Sequence, residues 1–154
     1  MFNVVLVEPE IPPNTGNVGR LCLATGSTLH LVKPLGFSLE DRQLKRAGLD
    51  YWGDVDLAVW DSLAALQGEH QGSRFFYVTT KTQRPYWEVE FERGDFLVFG
   101  RETKGLPEPL LRKNAGQCIT IPMLGTRSLN LATAVGVVLF EAVRQQRATE
   151  SGVE

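Results

Sequence analysis

The chain has 154 residues, 43% of them apolar and 22% charged, with a formal charge of −2 at neutral pH. That length suits one domain with a hydrophobic core, and the acidic balance excludes a protein that grips phosphates through an overall basic excess. No apolar run is long enough to cross a membrane, and Met1-Phe2-Asn3-Val4 carries no basic region ahead of its apolar residues, so neither a membrane partner nor a signal peptide is expected.

Residues 2–7 predict an apolar strand, followed by Glu8-Pro9-Glu10-Ile11-Pro12-Pro13, a stiff connection read as non-helical. Asn14-Thr15 offers a cap for a helix on which Val18, Leu21, Cys22 and Thr25 recur at one-face spacing, and Gly26 closes it. A strand is predicted over 29–32, an amphipathic helix over 39–47 ended by Gly48, a strand over 55–60 and a brief helix over 62–67. The aromatic and β-branched run 74–80 predicts another strand. Residues 81–94 mix polar and aromatic side chains without a period, and no element is assigned to them. Next come a strand over 95–99, a short helix over 107–114 and a strand over 119–121 that stops at Pro122.

The last predicted element is a long helix over 129–144 with Ser128 as its N-cap. Leu131, Ala132, Ala134, Val135, Val137, Val138, Leu139, Phe140, Ala142 and Val143 leave it almost no polar face, so it belongs at the centre of the domain or in a subunit interface. Residues 1–147 read as a single domain and 148–154 as a disordered tail. Strands alternating with helices imply an α/β fold around a largely parallel sheet. Cys22 and Cys118 lie in apolar segments with no CxxC or Cys/His spacing, so buried free thiols, no metal and a reducing, cytoplasmic setting are expected.

Open α/β sheets bind ligands beyond the carboxyl ends of their strands. Three such ends carry unusual residues: Val78-Thr79-Thr80, the run from Phe99-Gly100-Arg101-Glu102 to Gly105-Leu106-Pro107, and Ile121-Pro122-Met123. Gly100 and Gly105 permit close backbone approach or positive φ. Ile121, Met123 and Leu106 can sandwich a flat ring, with Thr79 and Ser128 at its polar edges. A nicotinamide site does not match, since the first turn reads Gly16-Asn17-Val18-Gly19 rather than G-x-G-x-x-G, and there is no Walker sequence.

Asn17 and Arg20 share one side of the first helix; the plain alternative to a functional role is a surface arginine beside a cap. Arg42, Lys45 and Arg46 form a cationic stripe followed by Asp50-Tyr51-Trp52, which is either a solvated face or an RNA contact. Lys81, Arg84, Tyr86 and Trp87 repeat that mixture more weakly. His30 and His70 have no partner motif, so structural or solvent roles are expected.

Taken together, three sets of residues resemble one family. They are Glu8-Pro9-Glu10-Ile11-Pro12-Pro13-Asn14-Thr15-Gly16-Asn17 with Arg20 and Arg46-Ala47-Gly48-Leu49-Asp50-Tyr51; Phe99 to Pro107; and Ile121-Pro122-Met123 with Arg127-Ser128-Leu129-Asn130-Leu131. The chain is similar along nearly its whole length to the SPOUT-class RNA 2′-O-methyltransferases, and within them to the small tRNA wobble-nucleotide enzymes of the TrmL/YibK type. The resemblance implies S-adenosylmethionine as methyl donor, the tRNA anticodon loop as substrate, a homodimer and a parallel-sheet SPOUT fold with a C-terminal trefoil knot.

It further implies a cofactor pocket at Val78, Gly100, Ile121 and Ser128, with Thr79, Glu102, Gly105, Met123, Leu129 and Asn130 nearby. Arg20 falls at the family's proposed base position, with Asn14 assisting. Arg101 stands where relatives often carry proline, and Phe140 where some carry tyrosine. The rival from another class is a non-catalytic RNA- or nucleotide-binding module that retains the pocket.

Overall fold

β1 (Asn3–Val7) is apolar on both sides, and its side chains divide between two layers. Val4 and Leu6 join a cluster with Val18, Cys22, Leu29 and Leu31, whereas Val5 and Val7 join one with Leu66, Tyr77 and Val98. Strand side chains alternate, so an uninterrupted apolar run needs cover on both faces. The structure, a computed structural model, describes residues 1–151.

The elements follow in the order α1 (Pro12–Thr25), β2 (Thr28–Val32), α2 (Arg42–Gly48), β3 (Leu57–Trp60), α3 (Leu63–Glu69), β4 (Phe75–Val78), β5 (Phe96–Phe99), α4 (Glu108–Lys113), β6 (Cys118–Ile119) and α5 (Leu131–Ser151). The six strands form one sheet in the order β3-β2-β1-β5-β4-β6, and all their pairings are parallel. Helices α1 and α5 cover one face and α3 and α4 the other. Cys22 and Cys118 are both buried free thiols, and burial pushes the Cys22 thiol up to about 12.

Several local expectations are corrected. α1 begins at Pro12, with Ile11 as its N-cap, because proline is tolerated in a first turn whose amides have no intrahelical partner. Asn14 is therefore inside the helix, and its side chain is free for a contact elsewhere. α2 starts at Arg42, where the Asp41 carboxylate accepts from the amides of Gln43 and Leu44. Gly16 lets α1 and α2 cross closely: a Cβ there would lie 2.2 Å from the Leu44 carbonyl oxygen.

The cap of α5 is Asn130, not Ser128. Its side-chain oxygen accepts from the amides of Ala132 at 2.9 Å and Thr133 at 3.3 Å. The helix is also two-sided: Val135, Val138, Leu139 and Ala142 are fully buried, while Thr133, Phe140 and Arg144 are exposed. It continues through 148–151, where a disordered tail was expected, and the remainder of that tail lies outside the described residues. An ion pair between Arg93 and Glu150 holds this last stretch.

The unassigned segment 81–94 lies along the sheet edge. Thr120 donates its amide to the Arg84 carbonyl and accepts from Tyr86 N–H, so the segment flanks the end of β6. It is fastened to α5 as well. Gln145 accepts from Phe91 N–H at 2.8 Å and donates to the Val89 carbonyl at 2.9 Å, and Gln146 donates to the Phe91 carbonyl at 2.6 Å.

Candidate active site

Beyond the carboxyl ends of β4, β5 and β6 the chain closes round a cavity of about 260 Å³. Of the residues expected to hold a cofactor, Val78, Thr79, Gly100, Glu102, Gly105, Ile121, Met123, Ser128 and Leu129 line it. The Thr79 amide bonds the Ile119 carbonyl at 2.9 Å, which locks the first loop to the third. The middle loop turns back on itself: the Gly105 amide donates to the Arg101 carbonyl at 2.9 Å, and Gly105 has φ of 66°. A Cβ on Gly100 would sit 2.2 Å from the Gly105 carbonyl carbon, so only glycine fits under that turn.

Asn130 does not line the cavity. It caps α5, and its amide also donates to the Asn14 side-chain oxygen at 3.0 Å. Asn14, buried at the start of α1, donates in turn to Glu102 at 3.3 Å. The Glu102 carboxylate further accepts the backbone amides of Glu10 at 2.9 Å and Ile11 at 2.8 Å. One line of side chains thus joins the loop after β1, the loop after β5 and the start of α5.

Sequence reasoning did not anticipate the reciprocal half of this clasp. The Glu10 carboxylate accepts from the Thr103 amide at 3.1 Å and its hydroxyl at 2.7 Å. That hydroxyl, with the amide, holds the Glu10 carboxyl below its usual range. Arg101 pairs with Glu8 at 3.0 Å, and Glu8 sits in the left-handed region with φ of 52°. The clasp occupies the crevice between the β1 and β5 ends, which leaves the open cavity one strand further along the sheet.

Arg20 lies elsewhere on this chain. It is exposed in a groove of about 620 Å³ with Asn17, Leu21, Tyr51 and Thr133, and its guanidinium is 3.5 Å from the Ala47 carbonyl oxygen. Asn14 and Arg20 therefore do not meet within one cavity. Of the cationic stripe, all of Arg42, Lys45 and Arg46 are exposed, but Lys45 pairs with Glu40. Tyr51 beside them faces solvent, whereas Trp52 packs against Gly19 and Gly48.

A larger cleft of about 750 Å³ beside the start of β4 contains none of these residues. The guanidinium of Arg74 in its wall is committed to Glu92, Asp95 and the Glu90 carbonyl. His30 is structural: buried on β2, it accepts from the Trp60 indole N–H at 3.0 Å and its other nitrogen bonds Asn3 at 2.9 Å. That pairing places its proton on Nε2.

A model of the SpoU rRNA Methylase family matches residues 1–140. The chain belongs to that family. Among SpoU-family relatives it is 50% identical over 147 residues to a tRNA (cytidine(34)-2′-O)-methyltransferase of Methylovorus glucosotrophus, covering 94% of this chain and 96% of that one. It is 51% identical over 150 residues to the protein of the same name from Burkholderia pseudomallei, covering 94% and 96%.

Two solved structures extend the likeness. One, described as giving structural insights into the 2-OH methylation of C/U34 on tRNA, superposes with a TM-score of 0.92 at 48% identity over 96% of this chain and 97% of that one. An AdoMet-bound rRNA methyltransferase from Sinorhizobium meliloti superposes with a TM-score of 0.82 at 27% identity, over 93% of this chain and 56% of that one. The SpoU-family chain described here thus shares its overall fold with methyltransferases.

Proposed function

We propose that this chain transfers a methyl group from S-adenosylmethionine to the ribose 2′-hydroxyl of the tRNA wobble nucleotide, cytidine or uridine 34. The observation that carries this reading is the closing of three strand-end loops round one cavity, in a chain about half identical to wobble methyltransferases over 94% of its length. The cavity suits the cofactor chemically: Val78, Leu106, Ile121 and Met123 offer apolar walls for a purine ring, and Thr79 and Ser128 offer polar edges.

The cofactor supplies an electrophilic methyl on a sulfonium sulfur. With the donor held among Val78, Ile121 and Met123, its methyl would pass to the ribose oxygen, whose hydroxyl proton must be taken away. Arg20 is a poor acceptor for it, because a guanidinium keeps its own proton up to a pKa above about 12. Its work is to bind an RNA phosphate beside the reacting ribose and stabilise the developing oxyanion, with the proton passing to that phosphate. Asn14 assists from a distance by holding Glu102 and Asn130, and with them the cavity.

Because Arg20 stands in a separate groove, a homodimer that lays one chain's α1 and α5 over its partner's cavity is the assembly that unites them. The exposure of Leu23 and Tyr51 in this groove, and of Phe140 farther along α5, supports such an interface. Membership of the SpoU family supports a C-terminal trefoil knot within a single domain spanning 1–147. Arg42 and Arg46, with Lys45 between them, grip the tRNA, and the enzyme works in the cytoplasm without a metal. The rival reading, a non-catalytic RNA- or nucleotide-binding module, is disfavoured by the presence of Asn14, Arg20 and all three pocket loops.

The test is incubation with isotopically labelled S-adenosylmethionine and unmethylated tRNA, followed by nuclease digestion and mapping. Label in the ribose of nucleotide 34 is expected. tRNA binding without label transfer would instead favour the non-catalytic module.

A further inference from the structure

Six cations of this acidic chain, Lys33, Lys45, Arg74, Arg93, Arg101 and Arg144, each stand within ion-pair distance of a carboxylate. Among the exposed cations with no such partner among the described residues are Lys81, Lys104, Arg112 and Arg127. Their positions are not scattered. Lys81, Lys104 and Arg127 rim the cavity between the β4, β5 and β6 loops. Lys81 also lines a neighbouring depression of about 200 Å³, whose other wall carries Arg112.

Lys81 is a wall of both hollows, so they adjoin and the four cations form one path from the cavity mouth to α4. Three carboxylates stand near this path, the first being Glu10, which accepts from Thr103 and lies within electrostatic reach of Lys104. Glu102 has both its oxygens engaged by the amides of Glu10 and Ile11 and by Asn14, and Glu108 lies in the depression without an ion-pair partner among the described residues. The balance along the path is positive, in a protein of net charge −2. Unpaired cations side by side repel one another and gain most from an extended polyanion, whose phosphates also release counterions on binding.

We infer that Lys81, Lys104, Arg112 and Arg127 form a phosphate-binding track that holds the RNA backbone beside the methyl-donor cavity. The track rests on the reading of the chain as a tRNA methyltransferase and adds a second RNA contact, distinct from the α2 stripe. It places the backbone close to where a ribose must enter.

The test compares wild type, Lys81→Ala with Arg112→Ala, and Lys81→Arg with Arg112→Lys. It measures the apparent KM for unmethylated tRNA across salt concentrations, and cofactor Kd by calorimetry. The double alanine variant should raise KM about tenfold at low salt and lessen the log–log salt slope by about 1.5, since each phosphate contact contributes roughly 0.7–0.9. Cofactor Kd should stay within about twofold, and the charge-preserving variant should restore KM, which a merely misfolded site would not do. An unchanged KM and slope, with wild type methylating tRNA normally, would overturn the track and leave the function standing. Weakened cofactor binding with an unchanged KM would overturn it too, by assigning these cations to the cofactor's carboxylate. No methyl transfer by wild type would remove the function itself, and the track with it.

Discussion

Asn130 donates a hydrogen bond to Asn14 at 3.0 Å across 116 positions of the chain, and Asn14 passes the connection on to Glu102 at 3.3 Å. The helix cap of α5, the first turn of α1 and the loop after β5 are thereby held in one arrangement. Asn14→Ala removes the middle of this line and leaves Asn130 and Glu102 each short of a partner. We expect a loss of about 1–3 kcal/mol of stability, the usual cost of an unmade buried hydrogen bond. Cofactor binding should weaken about tenfold, because roughly 1.4 kcal/mol of loop misplacement corresponds to that factor. Urea unfolding and calorimetric titration check the two parts separately.

Arg20→Ala should behave in the opposite way. Arg20 lies outside the cavity that holds the cofactor-facing residues. Methyl transfer should fall by at least about a hundredfold, on the order of losing one donor to a developing oxyanion, while cofactor Kd moves by less than about twofold. Single-turnover transfer and calorimetry on the same preparation decide this. A normal turnover rate would remove Arg20 from the chemistry.

On α2, Arg42 and Arg46 are exposed and have no ion-pair partner among the described residues, and Lys45 is balanced by Glu40. Arg42→Glu with Arg46→Glu should raise the apparent KM for tRNA and flatten its salt dependence by about 1.5 in log–log slope. An unaltered KM would mean that the stripe is a solvated helix face.

Burial pushes the His30 imidazole down to about 4 from an ordinary 6.5, with the neighbouring His70 adding to the effect and Asp56 opposing it. Trp60, Asn3 and Phe96 complete its surroundings. The unfolded chain takes up this proton near 6.5 and the folded chain only near 4, so the contribution is complete above 6.5 and lost as pH falls towards 4. At about 1.4 kcal/mol per pKa unit, up to about 3 kcal/mol is at stake. Unfolding free energies measured from pH 7 to pH 4 should show this decline, and His30→Gln should flatten it.

Much of the fold was legible because its signals are local. Val4 to Val7 announces an apolar strand, and Gly26 closes α1 where the sequence places its end, with φ of 62°. The cap of α5 was not legible: Ser128 and Asn130 are both good capping residues, and the choice depends on where the loop turns. Asn130 is selected because one side chain can both cap the helix and reach Asn14. The prolines at 12 and 13 misled, since proline stops a helix from within yet begins one readily.

The nine cavity residues were recoverable from strand ends and from the family resemblance. The contacts that brace them were not. Glu10 and Thr103 are 93 positions apart, and no spacing rule links a carboxylate to a threonine across a parallel sheet. The segment 81–94 was opaque for the same reason, because its partners, Thr120 and the glutamines of α5, follow much later in the chain.

The central claim is that the loops after β4, β5 and β6 grip the methyl donor, and calorimetry with the demethylated cofactor product tests it most directly. Wild type should give saturable heat with one site per chain. Gly100→Ala, whose added carbon would lie 2.2 Å from the Gly105 backbone, should lose that heat while keeping its far-ultraviolet dichroism. No heat with wild type, or undiminished binding by Gly100→Ala, would contradict the account.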